Sequence, residues 1–291
     1  MKFDENLAAV HAYLCADGYV IRNPETQKLK YYRIGFRNKN LILLKNFQKK
    51  FERVFRVKPH LHEGERCALG SKSIYYQLTD NFGSFYSWHW KMPELNNKLT
   101  KIWLRAYFDC EGWVTIETRQ NRNIGLDCVN KKGLEQIKNA LKIIGINSKL
   151  KFRNKKNIYR LYIFGKKNII KFKQEIGFLN SKKAEKLNRA IADYVDYFWN
   201  FPNNENECKK FIQNLIKEKI RIRKPYYTRI ISKEKINLLR LQELLKKFYG
   251  INSLINKCIN GLGTIYYEFN INKKEEVQKL IKQGFVPNIL K

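Results

Sequence analysis

Apolar and polar positions follow the same order twice along the chain. Val10-His11-Ala12-Tyr13-Leu14-Cys15-Ala16-Asp17-Gly18-Tyr19-Val20 lines up with Leu104-Arg105-Ala106-Tyr107-Phe108-Asp109-Cys110-Glu111-Gly112-Trp113-Val114. Each stretch predicts a mostly apolar helix stopped at a glycine and followed by a strand. Behind each come a strand pair ending near Asn38-Lys39 or Asn130-Lys131, a helix (Leu41 to Phe55; Leu134 to Ile144) and a second strand pair. The predicted order of each unit is αββαββα, which sets halves at residues 1–98 and 99–204. Residues 205–291 predict a partial third copy. Gly250-Ile251-Asn252-Ser253 echoes Gly145-Ile146-Asn147-Ser148, and the preceding helix, Cys208 to Ile222, ends in a basic run without the acid and glycine. The polar, proline-containing stretch Asn200 to Asn206 predicts the joint.

Charge narrows the partners. The 291 residues hold 58 Lys plus Arg against 26 Asp plus Glu, a net charge of +32, while 44% of the chain is hydrophobic. Such a chain buries a core and still repels itself strongly, and a polyanion relieves that repulsion. The excess is spread through the folded segments, so nucleic acid is the expected partner. No apolar run reaches the roughly 18 residues a spanning helix needs, so no membrane role is expected. The N-terminus predicts no secretory signal, and the six cysteines are scattered without a Cys-x-x-Cys pair. That pattern argues against structural zinc and a disulfide framework and points to a reducing, intracellular setting: cytoplasm, nucleoid or organelle matrix.

The two apolar helices put a carboxylate in the least favourable place, the last turn, where free carbonyls already carry negative partial charge. Asp17 and Glu111 stand there, each followed by a glycine that predicts a left-handed exit. Ala8, Ala12 and Ala16 on the first helix and Ala106 and Cys110 on the second permit close side-by-side packing, which would bring both acids to one point. Two carboxylates so placed call for a hard divalent cation, Mg²⁺ or Mn²⁺, able to activate water against a phosphodiester. The plainer reading is that both Asp-Gly and Glu-Gly are helix caps and turns.

The two helices resemble the paired motifs of the LAGLIDADG homing endonucleases. The second copy, Leu104 to Gly112, is close to that pattern and carries a lead-in, Lys91-Met92-Pro93, similar to those of inteins. The first has Cys15 where the family's earlier acid usually stands. The resemblance covers roughly residues 5–200. It implies an α+β fold of two pseudo-symmetric halves with saddle-shaped antiparallel sheets, one chain acting as a pseudo-twofold monomer, with Asp17 and Glu111 as the metal-binding acids. It also implies a lysine at the site's edge before a late helix. Lys182 in Phe178-Leu179-Asn180-Ser181-Lys182-Lys183 is the candidate, Lys183 could equally match, and Lys91 is the looser counterpart in the first half.

Basic residues at alternate strand positions line one face of a sheet. Lys149, Lys151 and Arg153 obey this rule, and their partner strand offers Arg160 and Tyr162. Arg22, Lys28, Lys30, Tyr32 and Arg37 in the first half, and Thr115, Glu117, Arg119 and Arg122 in the second, are candidates for the same DNA-contacting surface. His60 and His62 lack further ligands and read as surface or structural residues, and Phe85 to Trp90 reads as packing core. The expected function is a site-specific, metal-dependent endonuclease making double-strand breaks in a long, asymmetric DNA target. The alternative is a non-cleaving protein on the same scaffold, an intron maturase with intron RNA as partner or a DNA- or RNA-binding regulator.

Overall fold

A computed structural model describes residues 1–29, 31–117, 122–194, 198–224, 227–261 and 265–287. They form two compact units, Met1–Tyr194 and Val195–Lys291. The first unit holds both acid-bearing halves. In the first half the order is α1 (Glu5–Cys15), β1 (Gly18–Arg22), β2 (Tyr32–Arg37), α2 (Leu41–Phe55), β3 (His60–His62), β4 (Arg66–Gly70) and α3 (Lys72–Phe82). The second half repeats it with α4 (Asn97–Glu111), β5 (Gly112–Thr115), β6 (Asn123–Cys128), α5 (Lys131–Ile143), β7 (Ser148–Arg153), β8 (Ile158–Phe164) and α6 (Lys166–Glu175), then adds α7 (Ser181–Ala192). Each half carries a four-stranded antiparallel sheet, in the orders β1-β2-β4-β3 and β5-β6-β8-β7.

The halves share one core. Nine residues of α1, Leu7 through Cys15, are buried. A helix apolar on every side must be covered on every side, and α1 meets this by packing on its own sheet and along α4. Ala9, Ala12 and Ala106 are buried within the core both halves contribute to, and Trp103 stacks on Tyr107 beside Trp90. His11 sits inside this seam, its Nδ1 accepting from Trp103 Nε1 at 3.1 Å with Cys15 Sγ at 3.4 Å. Burial drives its pKa down to about 3, so it stays neutral.

The second unit is fuller than a partial copy. It runs α8 (Glu205–Lys219), β9 (Arg221–Lys224), β10 (Tyr227–Ser232), α9 (Lys235–Tyr249), β11 (Leu254–Ile259), β12 (Ile265–Ile271) and α10 (Lys274–Lys282), all seven elements of the repeat, with sheet order β11-β12-β10-β9. The basic run after Ile220 is a strand, not the end of a helix reaching Ile222. Its alternation of Arg and Ile is the strand signal. Trp199 and Phe201 pack on this unit's own core, which places the joint before the polar stretch. The outer side of α8 is polar, with Asn206, Lys210, Asn214 and Lys217 exposed.

Among the described residues, no helix is long and apolar enough to cross a membrane. The segment Phe85 to Trp90 is only partly core: Phe85 and Trp90 are buried, while Tyr86 and Trp88 are exposed at 61% and 59%. His60 and His62 lie on the edge strand β3, ring to ring at 4.4 Å.

Candidate active site

The two acids leave their helices in the same way. A Cβ on Gly18 would lie 2.4 Å from Leu14 Cα, and one on Gly112 would lie 2.5 Å from the Phe108 carbonyl oxygen. Glycine is therefore required by close approach of strand to helix. The expected left-handed exit is absent: Gly112 has φ −75° and ψ 150°, and Gly18 is not among the glycines with positive φ. The chain turns straight from helix into strand, leaving each acid at the corner.

Burial raises both carboxyls. Glu111 is pushed up to about 7, by burial first and then by the negative charge of Asp17, with Lys183 pulling the other way. Asp17 is raised by burial and drawn back by its hydrogen bonds, among them Asn38 Nδ2 donating to its Oδ2 at 2.8 Å. Glu111 thus senses Asp17 across the seam between α1 and α4.

The lysine at this site is Lys183. Its Nζ donates to the carbonyl oxygens of Phe108 at 3.3 Å, Asp109 at 2.7 Å and Cys110 at 2.9 Å, closing the open end of α4 with a cation. Lys182 is exposed on the opposite side of the turn, because the Asn180 cap starts α7 in a phase that brings residue 183 back onto α4. Lys91 is exposed between buried Trp90 and Met92, and the cation felt by both acids is Lys183. Asp109 has an anchoring role. Its carboxylate is buried and accepts the backbone N–H groups of Leu179 and Asn180, tying α4 to the start of α7. Cys15, at the matching place in α1, is buried in the seam and makes no such tie.

The open faces of the sheets begin beside the acids. In the first half Ile34 and Phe36 point into the core, so Arg33 and Arg37 point out. Ladder pairing puts Arg37, Arg66 and His62 in one row across β2, β4 and β3, and the Arg37 backbone N–H donates to the Asp17 carbonyl at 3.0 Å. Tyr19 lies across Gly35 and carries Arg37 over its ring at 5.3 Å. A groove of about 710 Å³ opens over this face, lined by Tyr19, Tyr31, Arg33, Arg37, Arg66 and Lys72 among others.

Several expected contacts fall elsewhere. Arg22 and Tyr32 pair with each other in register with Val20 and Ile34, which turns them toward the helix side, where Tyr32 meets Tyr75 and Tyr76 of α3 while still lining the margin of the groove. Arg122 is buried, its nearest carboxylate Asp193 at 3.8 Å beyond α7, so it holds that helix end and does not reach outward. Lys28 is exposed in the turn between β1 and β2, and Glu117 is exposed past the end of β5. Lys30 and Arg119 lie outside the described residues. Arg33 and Arg66 were missed, although alternation about Ile34 and Phe36 marks the former.

The second sheet repeats the first in outline. Trp113 lies across Gly125, with Tyr162 and Lys149 in the same row. Asp127, Arg160 and Lys151 form the next, and Thr115 shares the face. Arg153 is exposed at the end of β7. Arg160 grips both carboxylate oxygens of Asp127 and lies over the Trp113 ring at 5.2 Å.

Asp17 and Glu111 supply hard oxygen donors in a place that penalises their charge, which suits a divalent cation. Among the described residues, no three acid, histidine or cysteine side chains are gathered as a ready-made metal site. A cation there would share its shell with water, backbone carbonyls or substrate oxygens.

The model of the LAGLIDADG-like domain matches residues 100–177. That stretch is a LAGLIDADG-like domain. It contains α4 with Glu111 and the whole second sheet. Among curated proteins, the chain is similar to the glutamine–fructose-6-phosphate aminotransferase of Methanocaldococcus jannaschii, at 28% identity over 67% of this chain and 19% of that one. It is also similar to replication factor C small subunits. The one from Methanocaldococcus jannaschii is 28% identical over 85% of this chain and 13% of that one, and the one from Pyrococcus horikoshii 30% identical over 54% and 17%. The chain thus spans less than a fifth of the length of these relatives. Two solved structures are similar at low identity. One is I-DmoI in complex with DNA and Mn, at 18% with a TM-score of 0.45, covering 58% of this chain and 97% of that one. The other is the homing endonuclease I-WcaI bound to its DNA recognition sequence, at 17% with a TM-score of 0.42, covering 64% and 88%.

Proposed function

We propose that this LAGLIDADG chain is a site-specific, divalent-metal-dependent DNA endonuclease that makes double-strand breaks in a long, asymmetric target as a monomer. The observation that carries the reading is the meeting of Asp17 and Glu111 at adjacent helix ends, each at the border of an open sheet face that bears guanidinium groups. A cation bound by the two carboxylates would polarise the phosphodiester and lower the pKa of attacking water. Lys183 fixes the end of α4 and moderates the charge around Glu111, Asn38 orients Asp17, and Arg33, Arg37 and Arg66 with Lys149, Lys151 and Arg153 hold the duplex backbone. The two faces differ residue by residue, which favours an asymmetric target.

The curated relatives support an element that moves between genes. The same chain matches under a fifth of an aminotransferase and of replication factor subunits, proteins of unrelated activity. A portable segment would leave this pattern, and cutting an unoccupied copy of its site would open the way for it.

The test is cleavage of a DNA library with Mg²⁺, Mn²⁺, Ca²⁺ or EDTA, comparing wild type with Asp17→Asn and Glu111→Gln. Discrete double-strand cuts that require Mg²⁺ or Mn²⁺ and vanish in both variants are expected. Tight DNA binding without cutting in any metal would overturn the reading in favour of a regulator or intron maturase.

A further inference from the structure

Directly across the ladder from the two acids, the halves place opposite charges. Gly18 pairs with Phe36 and Gly112 with Leu126, so the next position outward sets Arg37 opposite Asp17 and Asp127 opposite Glu111. The first half has an arginine across the ladder from its acid, its guanidinium resting over the Tyr19 ring. The second has another carboxylate, close enough that its charge helps raise Glu111.

Asp127 is spoken for. Arg160 reaches from β8 with Nε and Nη2 to both of its oxygens, the forked geometry that suits carboxylate and phosphate equally. The guanidinium also rests over Trp113 and directs Nη1 to Tyr162 Oη at 3.4 Å. The pair is accessible, at 17% exposure for Arg160 and 30% for Asp127, and it shares its row of the open face with Lys151.

We propose that Asp127 is a further carboxylate of the metal site formed by Asp17 and Glu111, which Arg160 holds in reserve until a phosphate takes over its guanidinium. This rests on the endonuclease reading above. A duplex on the second sheet brings phosphates to the face that Arg160 occupies. A guanidinium exchanging carboxylate for phosphate keeps its bidentate bonding, so the exchange costs little. The released Asp127 then offers oxygen ligands to a hard cation beside Glu111. DNA and metal would therefore bind cooperatively, each raising the other's affinity. The first half has no such reserve: Arg37 occupies the matching position, and Asp17 is held by Asn38.

The experiment measures Mn²⁺ affinity of the full chain without DNA, by calorimetry and by the spin-resonance signal of free Mn²⁺. Arg160→Gln is expected to tighten binding about tenfold, the scale on which groups around a metal act. Asp127→Asn should cancel that gain in the double variant. Lys151→Gln removes a neighbouring positive charge without touching Asp127, so an equal gain there would overturn the proposal, as would an unchanged affinity in Arg160→Gln. A short non-target duplex should tighten Mn²⁺ binding more in wild type than in Asp127→Asn. This arm stands even if Arg160→Gln fails to fold, and equal tightening in both proteins would overturn the proposal. Mn²⁺ binding indifferent to Asp17→Asn and Glu111→Gln would reject the parent reading and this one with it. Binding that depends on both acids but not on residues 127 and 160 would reject this proposal alone.

Discussion

Replacing Glu111 by Gln should make the metal-free protein more stable at alkaline pH. The carboxyl is raised from 4.5 to about 7 by burial and by Asp17. Between those two values the folded chain holds a proton that the unfolded chain has lost, so stability falls as pH rises through that window and stays low above it. The difference in pKa corresponds to about 3 kcal/mol. Glutamine keeps the shape without the charge and should recover most of that sum at about pH 8.5, with no gain below about pH 4, where both states are protonated. The assay is denaturant unfolding in EDTA, read by the fluorescence of Trp90 and Trp103, which are buried in the first unit's core. An unchanged or lowered stability of Glu111→Gln at alkaline pH would refute the argument that Glu111 is a strained acid awaiting a cation. Saturating Mg²⁺ should reverse the ranking, because only the wild-type carboxylate gains from it.

Lys183→Met should destabilise the first unit by about 1–2 kcal/mol through loss of the cation at the end of α4, while Lys182→Met stays near wild type in the same unfolding assay. Gly18→Ala or Gly112→Ala forces the strand away from its helix and should cost about 1–3 kcal/mol, measured as a shift in unfolding midpoint. Arg33→Ala and Arg66→Ala should each weaken duplex binding and lower the slope of log affinity against log salt by about 1. Arg22→Ala, facing the helix side, should leave that slope unchanged.

The repeat and the helix-to-strand corners that carry the two acids were legible because they depend on local pattern: an apolar helix, an acid and a glycine, repeated. What the pattern could not show was phase. Whether Lys182 or Lys183 turns back onto α4 depends on where Asn180 starts the helix, a matter of a single residue. Strand faces fail in the same way, since a slip by one position exchanges the two sides. Arg22 and Tyr32 were placed outward from their chemistry, whereas the inward Ile34 and Phe36 settle the parity against them. The conformation of the two glycines was also hidden, because a need for space and a need for left-handed backbone select the same residue. Arg122 looked like a surface charge because nothing in its neighbourhood of sequence announces Asp193.

The contrast between α1 and α8 has a consequence for how the chain can be divided. Neither half of the first unit has a finished surface: remove one, and the other is left with a greasy helix open to water, so each serves as the other's solubilising partner. The last repeat instead turns a polar flank of α8 to water, with Asn206, Lys210, Asn214 and Lys217 exposed. Severing the polypeptide between α3 and α4 should yield fragments that survive only by finding each other.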